Sequence, residues 1–363
     1  MTAPNDGMES LGDILARVGK LVAQQEDERN ASVQVSPPPL QPDNIKDTAK
    51  LPVTQGKIIA ISTRRRRQVE SIVATRDDRE RREQQLVYSS RPFVLCSLPV
   101  RRPKQKEMLL HKRRNGRFVL SVVGHPELGL PFGQDRLIPI WVATLALLQN
   151  NRLIRFNSAA EVLETFGLPK DGIHYRRLVD GFKRVFGATI FFGTDEQHKT
   201  RAVFDWSRFH FFDKMQLWYT KDVAQKTLPG EEFENRILLS EYFWEELQRH
   251  PIPIELKVVK ALANAPAMLD FYTWLVWRCW TAKGEVAIPL FGDSGLISQL
   301  GISEKTAPFE LRRQIRRWLT KINVLWPGCP AQLASNGAAL VVEHAQAIAP
   351  RKLLIGKSDK RQD

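Results

Sequence analysis

Four arginines, Arg312, Arg313, Arg316 and Arg317, stand in the stretch FELRRQIRRWL as two i, i+4 pairs. A guanidinium is a rigid two-pronged donor that matches a phosphate or the O6/N7 edge of guanine, where a lysine acts more as a point charge. In a helix, Leu311, Ile315, Trp318 and Leu319 share the face that packs, and the arginines take the other. Only Glu304 and Glu310 stand against Lys305, the four arginines and Lys321, so salt bridges within the helix cannot neutralise that face. The chemistry on offer is recognition of a polyanion, with Lys305, Arg312, Arg313, Arg316, Arg317 and Lys321 as candidate DNA contacts.

A weaker version lies upstream in GIHYRRLVDGFKRVF, where Leu178, Val179, Phe182 and Val185 would pack and Arg176, Arg177, Lys183 and Arg184 would face outward, interrupted by Asp180. The polar tip that follows supplies His198, Lys199 and Arg201, which suit backbone or minor-groove contacts from a hairpin. The tip after the second helix, Pro327 to Gly337, carries no basic residue.

The composition agrees with an anionic partner. The 363 residues hold 54 Lys and Arg against 40 Asp and Glu, a formal charge of +14. Residues 64–117 concentrate 17 of the basic residues against six acids, and the run Arg64, Arg65, Arg66, Arg67 is a candidate for non-specific phosphate contacts.

Catalytic patterns are lacking. There is no G-x-G-x-x-G, no H-E-x-x-H and no G-x-x-x-x-G-K-[ST], since Arg351 stands where the first glycine before Gly356-Lys357-Ser358 would be. A nickase would need a tyrosine with a close histidine pair, but His210 near Tyr219 has only the distant His198. Cys96, Cys279 and Cys329 form no C-x-x-C pair, which argues against a disulfide framework or a zinc ribbon and for a reducing cytoplasm. The expectation is a non-enzyme with no catalytic residues, no cofactor and no metal. The absence of a signal-like start and of a long apolar run adds the expectation of a cytoplasmic protein without membrane contact.

The elements that must position these residues recur in the same order twice. The first series is a buried helix over 137–150, a short helix over 158–167, a third over 172–186, and β-like runs at 188–192 and 201–206. The second has helices over 253–266 and 267–282, a strand over 285–291, a short helix at 296–301 and a longer one over 304–322. Strands at 322–326 and 338–342 close it. Phe271, Tyr272, Trp274, Trp277 and Trp280 could suggest base stacking, but their spacing within an apolar helix predicts core.

The pattern predicts an α+β chain of tandem winged-helix domains, helices plus β-hairpin wings, with a flexible N-terminal region. The expected boundaries are 1–60 for an amphipathic helix and a Pro-rich disordered tether, and 61–88 for a basic linker or helix. Residues 89–230 and 231–345 are the two winged helices, and 346–363 a basic tail. Leu11, Ile14, Leu15 and Val18 form an apolar stripe with no core of its own to join, a candidate partner-binding helix.

The stretches LLSEYFWEELQRHPIPIELKVVKAL, LDFYTWLVWRCW and FELRRQIRRWL together resemble the bacterial plasmid-encoded RepA replication initiators. The resemblance runs over about residues 85–345 and is strongest from 238 to 320. It implies binding of double-stranded DNA at plasmid origin repeats, local melting of adjacent AT-rich DNA and recruitment of host replication proteins, an initiator and a helicase. It also implies a homodimer in one state that represses its own gene. A winged-helix transcriptional regulator is the alternative reading, and a primase or nickase with an unrecognised site is a second.

If the Arg64–Arg67 run clamps phosphates, changing all four to Gln weakens binding to specific and random DNA by similar factors. The dependence of log K on log salt also flattens, by roughly 0.9 for each lost phosphate contact. Fluorescence anisotropy at several salt concentrations checks this; an unchanged slope would assign the run another role.

Overall fold

The computed structural model describes residues 85–103, 109–197, 202–219, 234–292, 295–302 and 306–345. The Arg64–Arg67 run, the Leu11 to Val18 stripe, His198, Lys199, Arg201 and Lys305 lie outside these residues. The described residues all fall in the compact unit 61–363.

The chain enters as strand β1 (Leu86–Ser90) and the short helix α1 (Arg91–Leu95), which begins where Pro92 can occupy the first turn without forfeiting a hydrogen bond. A hairpin follows, β2 (Leu110–Asn115) and β3 (Phe118–Val123), closed by Gly116 at φ +56°. A 3₁₀ turn (Gly133–Arg136) leads into α2 (Leu137–Gln149), whose first eight residues are all buried because its sequence is apolar around the whole helix. Strand β4 (Leu153–Phe156), helix α3 (Ala160–Thr165) and helix α4 (Gly172–Phe186) come next. Asp171 caps α4 by accepting from the Ile173 and His174 amides.

Beyond α4 run the long strands β5 (Thr189–Gln197) and β6 (Ala202–His210), then β7 (Phe212–Gln216) and β8 (Asn235–Leu239). The second series comprises α5 (Glu241–Arg249), β9 (Pro251–Glu255), α6 (Leu256–Leu262), α7 (Pro266–Thr281), β10 (Val286–Pro289) and α8 (Leu296–Gln299). Helix α9 (Pro308–Leu325) and strands β11 (Ala331–Leu333) and β12 (Ala339–Val342) complete it.

All pairings are antiparallel, in sheets of order β2-β3-β5-β6, β4-β8-β7, β10-β12-β11 and β1-β9. The α+β expectation is met. The β1–β9 pair joins Leu86 to Glu255 across more than half of the described residues, and the buried apolar side chains from Val87 to Val342 form one continuous core.

Three local expectations need correction. Residues 322–326, read as a strand, are mostly the last turn of α9, because Ile322 and Leu325 continue the buried stripe of Ile315, Trp318 and Leu319 at helical spacing. The strand lies instead at 331–333, inside the stretch read as a tip. Residues 253–255, read as helix, end β9, where Ile252 and Ile254 alternate inward. The hairpin strands read as 188–192 and 201–206 are longer, and they join a β2–β3 hairpin that was not expected. Its signal was Asn115-Gly116, a turn dipeptide inside a run read only for its charge.

A buried polar cluster ties the first series to the second. Arg136 donates from Nε to Asp270 Oδ1 at 2.8 Å, and from its terminal nitrogens to the carbonyls of Gly133 and Leu98, each at 2.8 Å. His111 donates from Nε2 to the Ser97 carbonyl at 2.8 Å, and Ser97 Oγ donates to the Leu300 carbonyl at 3.1 Å. Arg113, part of the basic run, is turned inward, reaching the Gly301 carbonyl at 3.3 Å. A Cβ on Gly301 would fall 2.1 Å from Arg113 Nε, so the glycine makes room for it.

Burial, against the pull of Arg136, pushes the Asp270 carboxyl from 3.8 up to about 7. Burial, with Arg113 adding to it, pushes the His111 imidazole from 6.5 down to about 4. The signs oppose each other. The unfolded chain loses the Asp270 proton first, so on this account stability falls as pH rises from about 4 to about 7. It gains the His111 proton first, so the His111 contribution is whole above about 6.5 and is lost as pH falls to about 4. Urea unfolding across this range should show Asp270→Asn rising in stability with pH and His111→Gln falling. The same slope in both variants would mean that these groups do not control it.

Candidate nucleic-acid interface

Helix α9 starts with Pro308 in its first turn and Glu310 near its N-terminus, where an acid is favoured by the helix dipole. Leu311, Ile315, Trp318, Leu319, Ile322 and Leu325 are buried, with the Trp318 ring 5.8 Å from that of Phe271. This leaves Arg313, Arg316 and Arg317 exposed, and among the described residues no carboxylate pairs with any of them. Phe309, 64% exposed, stands one turn before Arg313 on the same side. Lys321 is half-buried.

Arg312 behaves differently from its neighbours. Its Nε donates to the Gly337 carbonyl at 3.1 Å and its guanidinium lies 5.1 Å over the Phe291 ring. Gly337, at φ +63°, makes the turn between β11 and β12, and its amide donates to Ala334. Arg312 thus fastens α9 to the adjacent hairpin, and the outward set is Arg313, Arg316 and Arg317.

On α4, Leu178, Val179, Phe182 and Val185 are buried as the spacing predicted, and Arg176 and Arg177 are exposed. Lys183 lies 4.9 Å over the Tyr219 ring. Arg184 is turned inward, only 16% exposed, in a two-pronged pair with Asp135 at 2.7 and 2.9 Å and stacked 4.7 Å over Phe132. The packing is close because residue 181 is glycine: a Cβ there would meet Asp135 Oδ1 at 2.7 Å. Outward cations on α4 therefore reduce to Arg176 and Arg177.

The aromatic stretch is core, as expected, at Phe271, Tyr272 and Trp274, while Trp280 is exposed. Sequence reasoning counted Lys112 and Arg114 of the four-stranded sheet only within the basic stretch 64–117, and passed over Arg208 and the stacked rings of Phe204 and Trp206. The alternation in RAVFDWSRF was their signal.

Residues 178–287 match the family described as plasmid encoded RepA protein, so the resemblance read from the sequence stands. The match runs from within α4 to β10 and ends before α9. Among solved structures, crystals of domains 2 and 3 of RctB are similar. One, of selenomethionine derivatives, has 12% identity and a TM-score of 0.42, covering 68% of this chain and 94% of that one. Another has 13% identity and a TM-score of 0.38, covering 67% and 92%. No curated protein matches the sequence.

Replacing Arg313, Arg316 and Arg317 with Ala should weaken specific duplex binding by about 1–3 kcal/mol for each lost base contact, with an unchanged melting temperature. Arg312→Ala should instead lower stability by about 1–2 kcal/mol, through the lost hydrogen bond and ring contact. Footprinting and thermal unfolding of both variants check this; a triple variant that still footprints would place recognition elsewhere.

Proposed function

We propose that this protein initiates plasmid replication by gripping repeated duplex sequences at its origin, without catalysing a reaction itself. The observation that carries the reading is the unneutralised arginine face of α9, fastened by Arg312 to the β11–β12 hairpin. Such a helix enters a major groove while the hairpin reaches the flanking backbone.

The order α7-β10-α8-α9-β11-β12, with β12 between β10 and β11, supports reading the second series as a winged helix. The order α2-β4-α3-α4-β5-β6 supports a first module of the same kind, although β4 pairs with β8 there rather than with the hairpin. On this reading the domains are 89–230 and 231–345, and the outward arginines of α4 and α9 engage successive groove faces. Strain from adjacent bound copies then opens neighbouring flexible steps. Recruitment of host initiator and helicase, repression of its own gene by a dimer, and action in the cytoplasm complete the proposal.

A plasmid carrying only this gene and its upstream repeats should replicate, and the Arg313/Arg316/Arg317 variant should abolish replication. Failure to replicate with the promoter still repressed would make the protein a transcriptional regulator. Nicked circles or primers formed from supercoiled origin DNA with magnesium and nucleotides would make it an enzyme.

A further inference from the structure

One face of the β2-β3-β5-β6 sheet carries no residue of α4 or α9; it is buried at its centre, Val119 and Ser121, and exposed at Phe204, Arg208, Arg114 and Lys112. Alternation along β6 puts Phe204, Trp206 and Arg208 on this face. The register carries it to Gly193 opposite Trp206, to Arg114 at the far end of that row, and to Lys112 in the row of Arg208. The Phe204 and Trp206 rings stack with centroids 4.9 Å apart and planes 14° apart. Phe204 is 74% exposed, so one flat face of the stack is open to solvent.

The row below Trp206 is built for close approach. A Cβ on Gly193 would lie 2.0 Å from the Asp205 carbonyl oxygen and 2.6 Å from Trp206 Cα, so only glycine fits there. Asp195 stands opposite Phe204 and is neutralised by Arg114, which leaves an excess of positive charge on this face. Arg114 is held by Asp195 at 2.5 Å, while Lys112 and Arg208 are exposed and pair with no carboxylate among the described residues.

We propose that this face binds single-stranded DNA, a base stacking on the open face of Phe204, which Trp206 backs, and its phosphates running past Arg208 and Lys112. A duplex keeps its base faces stacked on one another and offers no ring to an aromatic platform. An unpaired strand offers both rings and charge, and stacking is tolerant of sequence because every base has a π face. The choice of DNA over RNA rests on the initiator reading above; the stacking site itself does not. A chain that grips duplex repeats through α9 and an unpaired strand through this sheet has separate seats for the closed and the opened form of its substrate.

The test titrates the full chain into a fluorescein-labelled oligothymidylate of about 16 nucleotides, with oligouridylate and an origin duplex in parallel. Phe204→Ala should weaken oligothymidylate binding about tenfold or more. Phe204→Leu should fail likewise for want of a flat ring, and Phe204→Trp should retain binding. Arg208→Gln should flatten the single-strand salt slope by about 0.7. None of these variants should change duplex affinity, since Phe204 and Arg208 are surface side chains of the sheet and are not among the outward arginines of α4 and α9.

Wild-type oligothymidylate affinity in Phe204→Ala would overturn the proposal, as would equal loss of single-strand and duplex binding. A Phe204→Ala variant that changes sedimentation rather than oligonucleotide binding would make the face a contact between two copies of the chain. Preference for oligouridylate would overturn the assignment to DNA. Loss of duplex binding by the wild type, with Phe204-dependent stacking intact, would count against the initiator reading and not against this face.

Discussion

Arg136 and Asp270 form the contact on which the arrangement of the two series depends. The arginine projects from the 3₁₀ turn that launches α2, and the aspartate from the buried side of α7, with 2.8 Å between Nε and Oδ1. A buried guanidinium needs its acceptors, and loss of one partner of a buried pair commonly costs about 3–5 kcal/mol. The remaining guanidinium donors reach backbone carbonyls at Leu98 and Gly133, so the pair also fixes the segment connecting α1 to the first hairpin. Apolar packing brings α2 and α7 into one core, and this directional contact selects how they meet.

With that junction fixed, the positions of α4 and α9 follow from packing. Arg184 lies against Asp135, one residue before Arg136, so the same turn that anchors the second series also seats α4. The arginines of α4 and α9 thus divide by task according to what lies beneath them. Those over a buried acid, a ring or a turn carbonyl hold the fold, and those over nothing remain for an external anion. Arg113, turned onto the Gly301 carbonyl, extends the same division to the basic run.

Helices were legible where apolar residues kept a 3.6-residue spacing long enough to be unambiguous, as in 172–186 and most of α9, or stayed apolar over a full helix length, as in 137–150. Strand limits were not, because Ile322 to Trp326 has strand-like composition while its side chains continue a helical stripe. Sheet partners were invisible for a different reason. β2 pairs β3 through an Asn-Gly turn hidden in a charged run, and β1 finds β9 across more than half of the described chain. The basic character of α4 and α9 could be read from residue type. Which guanidiniums face outward could not, since that depends on Asp135, Phe291 and Gly337, residues remote in sequence from the arginines they hold.

Strands β6 and β7 are almost one strand, interrupted at Phe211, which is wholly buried with its ring 4.8 Å from Phe93 and 5.4 Å from Phe243. On one side the strand is the edge of the four-stranded sheet; on the other it pairs with β8. One continuous stretch of chain therefore joins the β5–β6 hairpin to β8, and β8 in turn pairs β4, whose end leads directly into α3 and α4.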